Sequence, residues 1–175
     1  MRLTRIAIAG IAALVLVVAP RAYAGDAFIV GGLQVHPTEN IDASNRWLLS
    51  GGSDYHLSAD SPILAGFEIQ FAKYSEGDFS VAPFNLIANG KYKGPGDKIR
   101  PVIGGGGGLY SAWNWGKVGG FDIDRNWTKK GGVHGVFGVD IGEKNRHGLS
   151  VQVQVQHVFD SEVDTSWVVM GGLYF

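Results

Sequence analysis

His157 stands near the end of the alternating run "LSVQVQVQHVF", Leu149–Phe159, and invites a test as a catalytic base. A serine nucleophile needs a base within hydrogen-bond reach, and an acid to hold that base. Two residues from His157 stand Val155 and Phe159, and Ser161 is four away, beyond the run. The matching positions of the last alternating segment are Trp167, Val169 and Gly171, with no carboxylate. No catalytic residue is assigned on this spacing. His157 reads as an interfacial residue near a strand end.

Three other patterns have the outline of a site. Gly104–Gly108 suggest a phosphate loop, but Leu109, Tyr110 and Ser111 stand where a dinucleotide fingerprint wants its third glycine. No Lys-Ser/Thr follows for a nucleotide loop, so the run reads as close packing and bending of a curved strand. Asp122, Asp124 and Asn126 alternate like the start of a calcium loop. Trp127 replaces its glycine and Val133 its closing acid, which leaves an external solvated loop. His36, His56, His134 and His147 share no zinc-like spacing. No catalytic, cofactor-binding or metal residue is therefore assigned from the sequence.

The elements that would position such residues are strands. Leu149, Val151, Val153, Val155, His157 and Phe159 fall on one side of the opening run; Ser150, Gln152, Gln154 and Gln156 fall on the other. Similar segments are "DAFIVGGLQVH", "RWLLSGGSDYHLS", "PILAGFEIQFAKY", "FSVAPFNLIANGKYK", "IRPVIGGGGGLYSAW", "GVHGVFGVDIGE" and "TSWVVMGGLYF". About eight strands with Gly/Asp/Asn turns predict an antiparallel meander, a closed barrel or a sandwich. Even-numbered connections are tight ("ADS", "GPGD", "KNR"). The first ("PTENIDASN") and third ("NWGKVGGFDIDRNWTKKGG") are long, and "SEGD" and "DSEVD" are shorter. Short turns at one end and longer loops at the other fit a membrane barrel.

The N-terminus agrees. "MRLTR", the apolar "IAIAGIAALVLVVA" and Ala22-Tyr23-Ala24 have the layout of a secretory signal peptide, cleaved after Ala24. Residues 1–24 are thus read as signal and 25–175 as one barrel domain. The signal holds three of the fifteen basic residues and none of the sixteen acids, so the mature chain is acidic. That excludes the basic stripe of a nucleic-acid binder. With no cysteine there is neither a lipid anchor nor a disulfide framework.

Aromatic placement separates a membrane barrel from a soluble one. Trp47, Tyr55, Phe71, Tyr74, Phe79, Tyr92, Tyr110, Trp113, Phe159, Trp167 and Phe175 lie mostly near strand ends, while strand centres hold Val, Ile, Leu, Ala and Gly. Aromatic girdles of this kind mark lipid headgroup levels. The closing "WVVMGGLYF", with Phe175 in phase with Leu173, Gly171, Val169 and Trp167, resembles the last strand of bacterial outer-membrane β-barrels. "RPVIGGGGGLYS" and "GVFGVDIGEKNRHGLSVQVQVQHVF" are similar to the fifth strand and the sixth-to-seventh hairpin of small eight-stranded members, the opacity-protein-like group. The resemblance covers nearly the whole mature chain as a pattern of strands.

It implies an all-β, eight-stranded antiparallel up-and-down transmembrane barrel in the outer membrane, read by the barrel assembly machinery. On the residues themselves, no cofactor and no catalytic site are expected. Lipid A deacylases of this shape pair a His and a Ser two residues apart on a lipid-facing strand, and Val155 and Phe159 occupy those positions here. The sequon Asn126-Trp127-Thr128 would not meet glycosylation machinery in such a chain.

Lipid would then face Val151, Val153 and Val155; Val133, Phe137, Val139 and Ile141; and Ala65, Phe67, Ile69 and Phe71. The lumen would collect Asp54, His56, Glu68, Gln70, Asn85, Asn89, Arg100, His134, Asp140, Gln152, Gln154 and Gln156, with Arg100 as the single clear inward cation. Eight strands leave an interior that side chains fill, so no open pore is expected. Function would rest on surface loops, chiefly Asn114–Gly132, where Trp115, Phe121 and Trp127 stand beside Lys117, Arg125, Lys129 and Lys130. Implied partners are outer-membrane lipid, lipopolysaccharide and a surface partner, with the chain itself a monomer. Two alternatives remain: a lipid-modifying barrel enzyme, and a soluble lipocalin-like periplasmic carrier with every strand turned the other way.

Overall fold

The computed structural model describes residues 25–35, 47–58, 61–76, 79–118, 121–143, 147–159 and 165–175. The expected signal peptide, His36 and Ser161 lie outside them. Eight strands follow in order: β1 (Gly25–Val35), β2 (Trp47–His56), β3 (Ile63–Glu76), β4 (Phe79–Lys93), β5 (Ile99–Val118), β6 (Phe121–Gly142), β7 (Gly148–Val158) and β8 (Thr165–Tyr174). Each pairs antiparallel with its successor, and β8 pairs with β1 to close the barrel. Ala27 and Phe175 exchange both main-chain hydrogen bonds at the seam.

Register follows the alternation. Val153 stands opposite Phe137 on β6 and Val169 on β8, while Gln154 stands opposite Val136 and Val168. A slip of one residue would carry every valine of β7 inward and every glutamine outward.

Two strands are longer than predicted. The expected loop Asn114–Gly132 is mostly a paired hairpin: β5 runs on to Val118 and β6 starts at Phe121, with Trp113 opposite Trp127 and Lys117 opposite Asp122. The register shifts between Asn114 and Gly116, so that Asp124 and Arg125 together stand opposite Trp115. β7 pairs with β6 only from Gly132 downward. On the β7 side about ten residues of β6 therefore stand beyond the neighbouring strand, roughly 33 Å of chain, while β4 accompanies β5 up to Gly116.

Glycines on the inner wall give room to larger neighbours. A Cβ at Gly132 would stand 2.8 Å from the Tyr110 ring, one at Gly104 2.8 Å from Lys91 Cγ, and one at Gly106 3.0 Å from Asn89 Oδ1. Gly104 and Gly106 thus supply the close packing expected of the five-glycine run. In the β4–β5 turn Gly96 takes φ 150°, which a side chain resists.

Candidate functional site

The lumen carries most of the polar chemistry. Glu68 sits at its centre: Oε1 accepts from Ser50 Oγ (2.5 Å) and Gln70 Nε2 (2.8 Å), and Oε2 from Asn89 Nδ2 (3.0 Å). Gln70 on β3 reaches across to β7, donating to Gln154 Oε1 (2.6 Å) and accepting from Gln156 Nε2 (2.7 Å) and Asn85 Nδ2 (3.1 Å). β3 and β7 lie on opposite walls, so these bonds cross the barrel.

Towards the short-turn end the bonds become ionic. Lys91 Nζ pairs with Asp54 Oδ2 at 2.8 Å and lies 4.1 Å from the centre of the Phe28 ring. Lys93 bridges Asp26 and Asp140, the latter at 2.6 Å. Ser150 donates to Asp140 (2.7 Å) and Gln152 to Ser150 (2.7 Å). Arg100 Nη2 donates to the Tyr174 hydroxyl at 2.8 Å. The opposing wall is apolar, built from Phe28, Val30, Leu48, Ala72, Val168, Met170 and Tyr174.

The expectation of one inward cation is corrected: Lys91 and Lys93 also point inward and are buried. They share the phase of Asn85 and Asn89 on β4, a signal that was present in the sequence. Tyr110, expected in a girdle, is inside as well, because it keeps the phase of Arg100 and Val102. His56 is only half-buried, and its Nδ1 lies 2.8 Å from the Ser61 carbonyl at the β2–β3 turn. The other predicted lumen residues are buried.

The outer face is the inverse. Val151 is 47% exposed, whereas Gln152, Gln154 and Gln156 are 7%, 1% and 3% exposed. Ile103, Leu109, Val133, Phe137, Ile141, Leu149, Val169 and Leu173 are exposed with Val151. Of the residues expected to face lipid, Ile69 is the exception: it holds the outward phase but is 7% exposed, between Gly51 and Leu86 in the register. An apolar exterior around a lumen holding buried carboxylates, amides and lysines is the opposite of the carrier alternative, which requires a solvated exterior and an apolar lumen. Aromatics band the long-hairpin rim, with Trp47 against Phe71 (ring centres 5.7 Å apart), Trp113 against Trp127 (5.9 Å), and Phe159 and Trp167 beyond. Tyr92 and Phe175 are exposed at the opposite rim.

His157 lies in the upper band, edge-on to Phe159 with ring centres 5.5 Å apart. Its Nδ1 is 3.3 Å from Thr165 Oγ1, directly across from it on β8. Searching along the strand missed this hydroxyl, because cross-strand neighbours are distant in sequence. A nucleophile and base need a third group to orient them. Val155, Phe159, Trp167 and Val169 supply aliphatic and aromatic side chains on that face. Asp122, Asp124 and Asn126 lie on β6 within the paired hairpin, where a strand spreads alternate residues about 6.8 Å apart.

No protein-family model matches the chain, and no curated protein matches it. Among solved structures it is similar to the N-terminal β-barrel domain of Pseudomonas aeruginosa OprF, at 13% identity over 87% of this chain and 97% of that one, with a TM-score of 0.55. Neisserial surface protein A is similar at 12% identity, over 86% and 94%, with a TM-score of 0.57. Ail, the attachment invasion locus protein of Yersinia pestis, is similar at 12% identity, over 86% and 99%, with a TM-score of 0.53. The fold is that of the small outer-membrane β-barrels. At these identities the likeness speaks for architecture, and the eight strands here account for nearly the full length of each of those chains.

Proposed function

We propose that the mature chain, from Gly25 onward, is an integral outer-membrane barrel whose interior is a structural plug and whose working surface is the projecting β5–β6 hairpin. The observation that carries this reading is the contrast of faces: the exposed large side chains of the outer wall are apolar, while the glutamines and carboxylates are buried inside beside one apolar wall. Hydrogen bonds from β3 to β7 across the barrel support a closed lumen. The exposed Lys73 and Lys129, beside Trp47 and Trp127 at the rim, suit the phosphates of lipopolysaccharide. Phe175, exposed at the end of β8, suits recognition by the barrel assembly machinery during insertion. No catalytic step is assigned.

The test is fractionation with unheated gel electrophoresis. A detergent-extracted band whose mobility changes on boiling, with an N-terminus at Gly25, is the expected result. A band in the soluble fraction that still carries Met1 contradicts the proposal.

A further inference from the structure

β6 pairs with β5 along one side for its whole length, but with β7 only from Gly132 to Gly142. Just above, Gly131 O accepts from Phe159 N at 3.0 Å, and there β7 ends. Among the described residues, no strand lies along the outer edge of Phe121–Lys130. A bare edge offers main-chain N–H and C=O groups to an incoming strand.

The order of charges says which strand fits. Asp122 and Asp124 precede Arg125, Lys129 and Lys130, so the segment read backwards complements itself. Lysines on an edge ordinarily deter pairing, and a strand with lysines alone would repel its own copy. The aspartates change that. Counting the bulged pair Asp124–Arg125 as one position, antiparallel pairing of two copies centred on Asn126 sets Asp122 opposite Lys129 twice and Ile123 opposite Thr128 twice. Opposite charges directly across a ladder are favourable, and like charges there are not. Parallel pairing would set Asp122 beside Asp122 and Lys129 beside Lys129. The pattern selects the antiparallel arrangement.

That choice has a spatial consequence. The hairpin stands along the barrel strands, so an antiparallel two-fold across its edge turns the second barrel upside down. Two barrels so joined belong to facing membranes. We propose that the β6 edge, residues 121–130, is a homotypic docking strand that joins two copies of this chain across apposed membranes. This rests on the outer-membrane reading above and names the partner of its hairpin.

The experiment uses the full mature chain in phosphatidylcholine vesicles, prepared as two populations with different fluorophores. Clustering is expected only when both populations carry protein, and it should weaken as ionic strength rises. Lys129→Asp should abolish self-clustering. So should Asp122→Lys, carried with Lys117→Asp so that the hairpin keeps opposite charges across Lys117 and Asp122. Vesicles of one variant mixed with vesicles of the other should cluster again, because each supplies what the other lost.

Clustering with protein on one population alone would assign the edge to lipid and overturn the proposal. So would variants that cluster as wild type does, or a mixture that fails to recover. Absence of wild-type clustering while the band remains heat-modifiable defeats this inference alone. Loss of the heat-modifiable band defeats the membrane reading with it.

Discussion

The lumen and the outer wall are made by the same strands with the same period of two, yet they obey different rules. Inside, each polar side chain depends on a particular partner: Glu68 on Ser50, Gln70 and Asn89, and Lys93 on Asp26 and Asp140. Outside, Val151, Phe137 and Leu173 need only be apolar, since lipid adapts to their shape. Buried polar groups are costly when unpaired, whereas an aliphatic side chain in hydrocarbon has no bond to lose. The lumen should therefore be intolerant of changes that leave a partner stranded. The wall should be intolerant only of charge.

Variants can break this contrast, and urea unfolding in lipid vesicles would measure each. The largest loss is expected from Lys91→Met, which leaves Asp54 buried without its ion pair and should cost ~3–5 kcal/mol. Val153→Arg should follow at ~2–4 kcal/mol, as a charge near the bilayer midplane. Val153→Leu should change little; a loss as large as that of the arginine variant would mean the wall is a packed core. Gln154→Leu combined with Gln152→Leu should cost ~1–3 kcal/mol for each buried group stranded, since Gln70 and Gln156 both donate to Gln154. Wild-type stability of that double variant would mean the glutamines face water. The smallest effect, within ~0.5 kcal/mol, is expected on replacing Lys117–Asp122 by a tight turn, because the hairpin tip there pairs with neither β4 nor β7. Vesicle clustering should be lost in the same variant, and loss of folding would show the hairpin to be part of the barrel's support.

The same contrast explains what could be read from the sequence. Within the barrel the two sides of each strand meet unlike surroundings, so hydrophobicity alternates. "LSVQVQVQHVF" alone gave away β7 and both its faces. All eight strands were legible this way. The segment "NWGKVGGFDIDRNWTKKGG" carries no such alternation although its backbone stays paired, and it reads as a loop. Lys91 and Lys93 were missed for a different reason. Near a strand end a lysine is taken for a solvated residue, and only the partners Asp54, Asp26 and Asp140, on three other strands, make it an inward one. The Thr165 hydroxyl across from His157 was hidden likewise, by register rather than by composition.

The central claim is that the valine side of β7 meets lipid. The chain has no cysteine, so single cysteines at Val151, Val153 and Leu173 can each carry a nitroxide label in vesicles. The measurement is how strongly each label relaxes with dissolved oxygen, which concentrates in hydrocarbon, against a water-soluble nickel complex. The account predicts strong relaxation by oxygen and weak relaxation by nickel at all three. Labels that nickel reaches, or that neither reagent reaches because they sit in a packed core, would contradict it.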